Sequence, residues 1–292
     1  MGHRSGFVNI LGNPNVGKST IMNALVGENL SIITSKVQTT RHRIMGIVNG
    51  DDFQIVYSDT PGIVKPNYKL HESMMKFVSS ALADADILLY VTDVGDDILK
   101  NSEYLSKIRR LKIPVLLLIN KIDLGSREQV EMLTDKWKEI LPDAFIIPLS
   151  AKERFNLDKV FGQILELLPE SPPYYPKDAL TDKSERFFAS EIIREKVFIN
   201  YRKEVPYSTE IEIEEFMDTE DILRIRAIIH VSRETQKGII IGNKGAALKR
   251  TGTAARIDLE EFFGRKVYLE LFVKVNKDWR TRENQLKRFG YR

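Results

Sequence analysis

Apolar positions in this chain alternate between short unbroken runs and stretches where they recur every three to four residues. Phe7–Leu11, Phe53–Ser58, Ile87–Thr92, Val115–Ile119 and Phe145–Leu149 are continuous runs and read as strands. Between them, Ile21-Leu25-Val26, Met74-Phe77-Val78-Ala81-Leu82, Tyr104-Leu105-Ile108-Leu111, Met132-Leu133-Trp137-Ile140 and Val160-Phe161-Ile164-Leu168 carry the spacing of amphipathic helices. Strands that are apolar on both faces and separated by helices predict an α/β domain. Its sheet is mostly parallel, with helices on both faces.

The pattern changes after Leu168. Pro169 to Asp178 holds four prolines, and such a stretch neither continues a helix nor joins a central strand. Beyond it the spacing predicts a helix over about 185–198, strands over 209–216 and 223–230, and a helix from Ser232. A Gly242-Asn243-Lys244-Gly245 loop, a second helix to about Phe263 and a strand over 266–275 follow. The expected division is therefore 1–168 for the first domain, 169–184 for a proline-rich linker and 185–292 for a second, α+β domain with a basic tail. A chain of 292 residues suits two domains.

The first helix is preceded by Gly12-Asn13-Pro14-Asn15-Val16-Gly17-Lys18-Ser19, directly after a strand. A glycine loop between strand and helix offers consecutive backbone N–H groups and a helix N-terminus to an anion, which is the requirement for binding a triphosphate. Asn13, Asn15, Val16, Gly17, Lys18, Ser19 and Thr20 are the candidate contacts. Lys18 would reach the β- and γ-phosphates and Ser19 would ligate Mg²⁺.

Asp59-Thr60-Pro61-Gly62 closes the Phe53–Ser58 run, placing Asp59 to hold Mg²⁺ through water and the Gly62 N–H near the γ-phosphate. Asn120-Lys121-Ile122-Asp123 closes the Val115–Ile119 run. The Asp123 carboxylate can accept from guanine N1–H and its exocyclic amine, donors that adenine lacks, so GTP is selected over ATP. Ser150-Ala151-Lys152 follows the next run and offers the Ala151 N–H to guanine O6. Each string sits at a strand end, where open α/β sheets bind ligands.

The polar segment Gln38–Arg43 is a switch candidate, with Thr40 preferred to Thr39 for completing the Mg²⁺ shell. Lys18, Thr40 and Gly62 are thus the candidates for the chemical step. Arg41 and Arg43 read as solvated charges of that loop rather than as an arginine finger. GTPases resembling Ras place a glutamine after the glycine of Asp59–Gly62, whereas this chain has Ile63, so slow unaided hydrolysis is expected. Asn15 resembles the asparagine of Pro-Asn-x-Gly-Lys-Ser loops associated with a monovalent cation, making K⁺ a candidate cofactor beside GTP/GDP and Mg²⁺.

Charge sharpens the second domain. From Gln236 onward there are 14 Lys/Arg against 6 Asp/Glu, although the whole chain carries only +3. Such a local surplus is an electrostatic footprint for nucleic acid. Helix, strand, strand, helix, Gly-x-x-Gly, helix, strand is the order of a type II KH domain, in which the loop grips a nucleotide backbone. Lys237, Lys244, Lys249 and Arg250 would contact phosphates around Gly242, Asn243 and Gly245. Ile239, Ile240, Ile241, Ala246, Ala247 and Leu248 would line an apolar groove under the bases.

Taken together, GNPNVGKST, QTTRHRIMGI, DTPG, NKID, SAK and GIIIGNKGAALK resemble the Era family of bacterial GTPases over essentially the full length. The resemblance implies a P-loop GTPase lacking the catalytic glutamine, joined to a KH domain that binds 16S ribosomal RNA near its 3′ end. It implies a role in maturation of the 30S subunit, a monomer in the cytoplasm, and a peripheral fraction at the inner membrane face. Two rivals are weaker. A transfer-RNA-modifying GTPase would need a C-terminal cysteine, and the chain has no cysteine, which also fits a reducing compartment. A GTPase working mainly at the membrane or in cell-cycle signalling would need an anchor, and only the basic stretch at Lys287 and Arg288 could touch anionic lipid.

Overall fold

The computed structural model describes residues 2–34, 36–97 and 102–291. The chain forms two compact units, one from the residues up to Pro66 with Met74–Asp182, the other from Asn67–Ser73 with Lys183 onward. Among the described residues no helix is long and apolar enough to cross a membrane.

The first unit is built on a six-stranded sheet. Strands β1 (Arg4–Gly12), β2 (Ile44–Asn49), β3 (Phe53–Asp59), β4 (Ile87–Asp93), β5 (Val115–Asn120) and β6 (Phe145–Pro148) lie in the order β2-β3-β1-β4-β5-β6. All pairings are parallel except β2 with β3. Burial along β4 and β5 is nearly unbroken, so both faces of the central strands are covered, as their continuous apolar runs predict. Helices α1 (Lys18–Val26), α2 (Lys69–Ala83), α3 (Ser102–Ile108), α4 (Arg127–Ile140) and α5 (Leu157–Leu167) supply that cover.

Strand β2 was hidden in the sequence because Gly46 interrupts its pattern. A Cβ on Gly46 would stand 2.7 Å from Val26 Cγ2 and 3.0 Å from Met22 Cε, so the glycine lets α1 close against the strand. The arginines just before β2 correct a second expectation. Arg41 is wholly buried and Arg43 is only 8% exposed, so neither is a solvated switch charge. Arg43 Nε donates to Ser58 Oγ at 2.6 Å, and its terminal nitrogens donate to Asp84, Ser80 Oγ and Asn9 Oδ1. A guanidinium offers five donors in a fixed fork, enough to pin β1, β3 and α2 at one point.

The proline-rich stretch is fastened to the sheet and is no free linker. Gln54 is fully buried and all its amide atoms are used. Its Oε1 accepts from Tyr174 N at 2.7 Å and Tyr175 N at 2.9 Å, while Nε2 donates to Tyr175 O and Asn49 Oδ1, both at 2.8 Å. Farther along, Ile47 N donates to Leu180 O at 2.8 Å, Thr181 Oγ1 to Met45 O at 2.6 Å, and Met45 N to Asp182 Oδ1 at 3.0 Å.

In the second unit α6 (Glu185–Asn200) precedes β7 (Glu210–Asp218), β8 (Leu223–Val231), α7 (Glu234–Ile241), α8 (Ala246–Phe263) and β9 (Val267–Val275). The sheet order is β7-β8-β9, with β7 antiparallel and β9 parallel to β8. The parallel pair needs a crossover, which α7 and α8 provide. Alternate residues of the strands, such as Ile225, Ala227 and Ile229, meet Ile193, Val197, Ala255 and Leu259 in one core.

The C-terminal residues also fold, which corrects the expected basic tail. Trp279 is completely buried and donates Nε1–H to Ser208 O at 3.0 Å. Tyr291 donates its hydroxyl to Glu210 Oε2 at 2.7 Å, and Phe289 of the turn after α9 (Glu283–Arg288) packs on the His230 ring at 5.1 Å. Of the two basic side chains proposed for lipid, Arg288 is held by Glu212.

Gln54→Ala would strand the Tyr174 and Tyr175 N–H groups and open a small void. We expect a loss on the order of 2–3 kcal/mol in urea unfolding and faster proteolysis between residues 172 and 182.

Candidate nucleotide site and nucleic-acid interface

Between β1 and α1 the chain turns through two left-handed residues, Asn15 at φ 65° and Gly17 at φ 96°. A Cβ on Gly17 would lie 2.2 Å from Asn120 Nδ2, so the position admits no side chain. Lys18, 6% exposed, donates Nζ–H to Asn13 O at 2.8 Å and Gly12 O at 3.3 Å. Burial pulls its ammonium down to about 8, against the opposing fields of Asp59 and Asp96.

Asp59 ends β3 in complete burial, and that burial raises its carboxyl above the usual range, opposed by Lys18 and nearby hydroxyls. Its Oδ2 accepts from Ser19 Oγ at 2.6 Å and from Thr40 Oγ1 at 3.1 Å, and the two hydroxyls are 2.9 Å apart. Its Oδ1 is buried with no hydrogen-bond partner. One orphaned carboxylate oxygen beside two hydroxyls is a donor set of hard oxygens, and it fits Mg²⁺. Thr39 turns elsewhere, donating to Lys36 O at 2.6 Å, so the structure brings Thr40 and not Thr39 to this point.

Gly62 presses on the loop of Asn13–Gly17. A Cβ there would be 2.7 Å from Pro14 Cα. The next N–H, of Ile63, donates to Gly12 O at 3.1 Å while its side chain is buried. Asn15, Lys18, Ser19, Thr20, Gln38, Thr40, Gly62 and Lys121 are among the residues enclosing a cleft of ≈ 270 Å³.

The strings Asn120–Asp123 and Ser150–Lys152 form one bonded set. Asn120 Nδ2 donates to Val16 O at 2.9 Å and its Oδ1 accepts from Ala151 N at 3.0 Å. That N–H, expected to face guanine O6, must share or exchange this bond to reach a base. Lys121 Nζ bridges Asn15 O at 2.6 Å and Asp93 at 2.7 Å. Asp123 Oδ1 accepts from Ser150 Oγ at 2.6 Å, which orients the carboxylate. Lys152 is exposed and pairs with Glu153 at 3.4 Å.

Asn13, a candidate contact of the loop, has its side chain engaged within the protein. Its side chain donates to both oxygens of Asp96 at 2.8 Å, on the side of the loop toward the end of β4. Asp96 escaped the sequence reading because the Gly95-Asp96-Asp97 string looks like an ordinary turn.

In the second unit, Gly242 (φ 71°), Lys244 (φ 48°) and Gly245 (φ 82°) turn the chain between α7 and α8. A Cβ on Gly242 would strike Ala247 Cβ at 2.6 Å, whereas one on Gly245 would meet nothing within 4 Å. Lys244, Lys249 and Arg250 are exposed, while Asn243 and Lys237 are exposed or half-buried around the same loop. Ile240 is wholly buried in the core and therefore lines no groove, while Ile239 projects outward. Ile241, Ala247 and Leu248 pack partly against that core, close to Ala246 at the start of α8.

The groove itself lies between α8 and β9, with a volume of ≈ 360 Å³. Gly245, Leu248, Lys249, Gly252, Thr253, Arg256, Leu269 and Leu271 line it. Gly252, Thr253 and Arg256 were missed, although with Lys249 they share one helix face at i, i+3, i+4 and i+7.

A family model described as a 50S ribosome-binding GTPase matches residues 7–121, and a KH-domain model matches residues 204–280. GTPase Era of Syntrophus aciditrophicus is 45% identical over 293 residues, covering 99% of this chain and 95% of that protein. The chain belongs to the Era family of GTPases. GTPase Era of Staphylococcus epidermidis is 40% identical, with 99% and 97% coverage. An Era crystal structure in complex with MgGDPNP and nucleotides 1506–1542 of 16S ribosomal RNA matches with TM-score 0.94, 41% identity and 99% of each chain. A variant of Aquifex aeolicus Era bound to GDP·AlF4⁻ matches equally, at TM-score 0.94 and 41% identity. In this Era-family chain, as read from its residues, a P-loop GTPase fold is thus followed by a KH domain.

The state of Lys18 gives a titratable consequence. Its folded pKa lies below the unfolded 10.5, so the folded chain is penalised below about pH 8 and regains stability as pH rises from there toward 10.5. A bound triphosphate restores the charged form. Nucleotide binding at pH 8.5–9 should therefore take up a proton and binding at pH 6.5 should not, as calorimetry in buffers of different ionisation heat would show. Lys18→Met should abolish the uptake.

Proposed function

We propose that this chain is a GTP-dependent switch that binds the 3′ region of 16S ribosomal RNA and serves maturation of the 30S subunit. The observation that carries the reading is the related Era protein holding MgGDPNP and nucleotides 1506–1542 of that RNA, alike to this chain over 99% of both. We take residues 1–168 as the GTPase domain, 169–184 as the connecting strap and 185–292 as the KH domain. The chain acts as a cytoplasmic monomer, and a lipid-facing role for Lys287 and Arg288 has no observation in its favour.

In this reading the loop from Asn13 to Thr20 receives the phosphates and Lys18 neutralises the β- and γ-oxygens. Ser19 and Thr40 hold Mg²⁺ directly and Asp59 holds it through water. When bound, that ion neutralises charge developing on the phosphates. Thr40 and the Gly62 N–H report the γ-phosphate, and Asp123, set by Ser150, selects guanine. RNA lies along Gly242–Gly245, with Lys244, Lys249, Arg250 and Arg256 on its phosphates and bases over Leu248, Leu269 and Leu271.

A ligand shifts a switch only by its differential affinity for the two states. Affinity for an oligonucleotide of the 16S 3′ end should therefore differ about 5- to 150-fold between chains loaded with a GTP analogue and with GDP. Equal affinities would leave both binding sites standing and remove the gating. Asn15, exposed at the cleft mouth, is our candidate K⁺ ligand. Turnover should fall when K⁺ is replaced by Na⁺, and Asn15→Ala should lose that difference.

A further inference from the structure

Hydrolysis of a γ-phosphate needs a group that orients the attacking water, and the position after Gly62 does not supply one. The Ile63 side chain is 1% exposed, and its N–H is committed to Gly12 O. The polar groups of the cleft are mostly committed as well. Thr40 and Ser19 are bonded to Asp59, Thr39 to Lys36 O, and Lys121 to Asp93 and Asn15 O.

The Gln38 side chain is not. Its side chain lines the same cleft as Gly62 and Thr40, and its Oε1 is buried without a hydrogen-bond partner. A buried carbonyl oxygen left unsatisfied is costly, so its retention calls for a partner that arrives with the ligand. Gln38 also sits at φ 58°, a left-handed setting that an L residue adopts at a cost. That turn places the carboxamide two residues before Thr40, on the loop that meets the γ-phosphate.

We propose that the Gln38 carboxamide orients the attacking water in this GTPase, in place of the glutamine missing after Gly62. The proposal rests on the reading of the cleft as a GTP site. Oε1 accepts one water O–H, and Nε2–H is available to a γ-phosphate oxygen. The water oxygen forms a bond to the γ-phosphorus as the bond from phosphorus to the β,γ-bridging oxygen breaks. The electron pair of that bond stays on GDP, and the water proton passes to a γ-phosphate oxygen. GTP⁴⁻ and water give GDP³⁻ and H₂PO₄⁻, with nothing oxidised or reduced. An amide is no base at neutral pH, so its contribution is orientation, which suits a phosphoryl transfer needing little proton abstraction in its transition state.

The test uses the full chain with Gln38→Ala and Gln38→Asn, the second keeping the amide but withdrawing it by one methylene. Single-turnover GTP hydrolysis with Mg²⁺ and K⁺ should fall roughly a hundredfold in both. Affinities for GDP and a non-hydrolysable GTP analogue should stay within about threefold, and capture of aluminium fluoride by GDP-loaded protein should be lost. Hydrolysis within twofold of the parent would overturn the assignment, as would a parallel loss of nucleotide affinity, which would make Gln38 a binding residue only. Binding of the 16S 3′ oligonucleotide by the analogue-loaded variants separates the two levels. If the parent fails to bind GTP the site reading falls, whereas a parent that binds and variants that hydrolyse normally remove Gln38 alone.

Discussion

Lys18 and Asp59 are buried together at the end of a parallel sheet, and each is displaced from its ordinary pKa toward its neutral form. Burying charge without full compensation is costly, and here the ammonium has two carbonyls while the carboxylate keeps one oxygen unsatisfied. The arrangement makes sense as half of a larger ionic lattice whose other half is a polyphosphate and a divalent cation. Everything around it serves to hold that half-lattice open. Asn120 ties the loop to Ala151, Lys121 props Asn15, and Arg43 locks the strands from behind. Binding then stabilises the fold by mass action, because the unfolded chain has no such site.

The second unit solves a similar problem without burial. Its loop also joins a glycine turn to a helix N-terminus, but Lys244, Lys249 and Arg250 stand in solvent beside an apolar trough. Charges so placed exchange counterions instead of shedding water, so any attraction of a polyanion there is graded by salt. The two regions thus contrast a buried, desolvated pocket with an exposed, solvated surface.

Much of this was legible from residue order alone. Five of the six strands of the first sheet, the strings at their ends and the elements of the second unit from α6 to β9 follow from apolar spacing and loop chemistry. What escaped depends on three-dimensional closeness that spacing does not encode. Gly46 masked β2 because its lack of a side chain serves α1, not the strand. Arg43 looked solvated because its partners lie on two strands and at the end of a helix, up to 41 residues away, and Arg41 beside it is equally buried. Ile240 looked like groove because three successive isoleucines give no indication of which one faces inward. Asp96 meets Asn13, and Gly252, Thr253 and Arg256 face Leu269 and Leu271 across the groove, only through packing of elements distant in sequence.

The bonds between β2 and residues 179–182 have a bearing on how fragments of this protein behave. An outermost strand with open N–H and C=O groups is a template for pairing with another chain. Here Leu180, Thr181 and Asp182 occupy those groups, while the opposite rim is β6, only four residues long. A piece cut at the last helix of the sheet domain would uncover β2 along its length and favour self-association. One carried through Asp182 keeps its own seal and is the natural soluble unit.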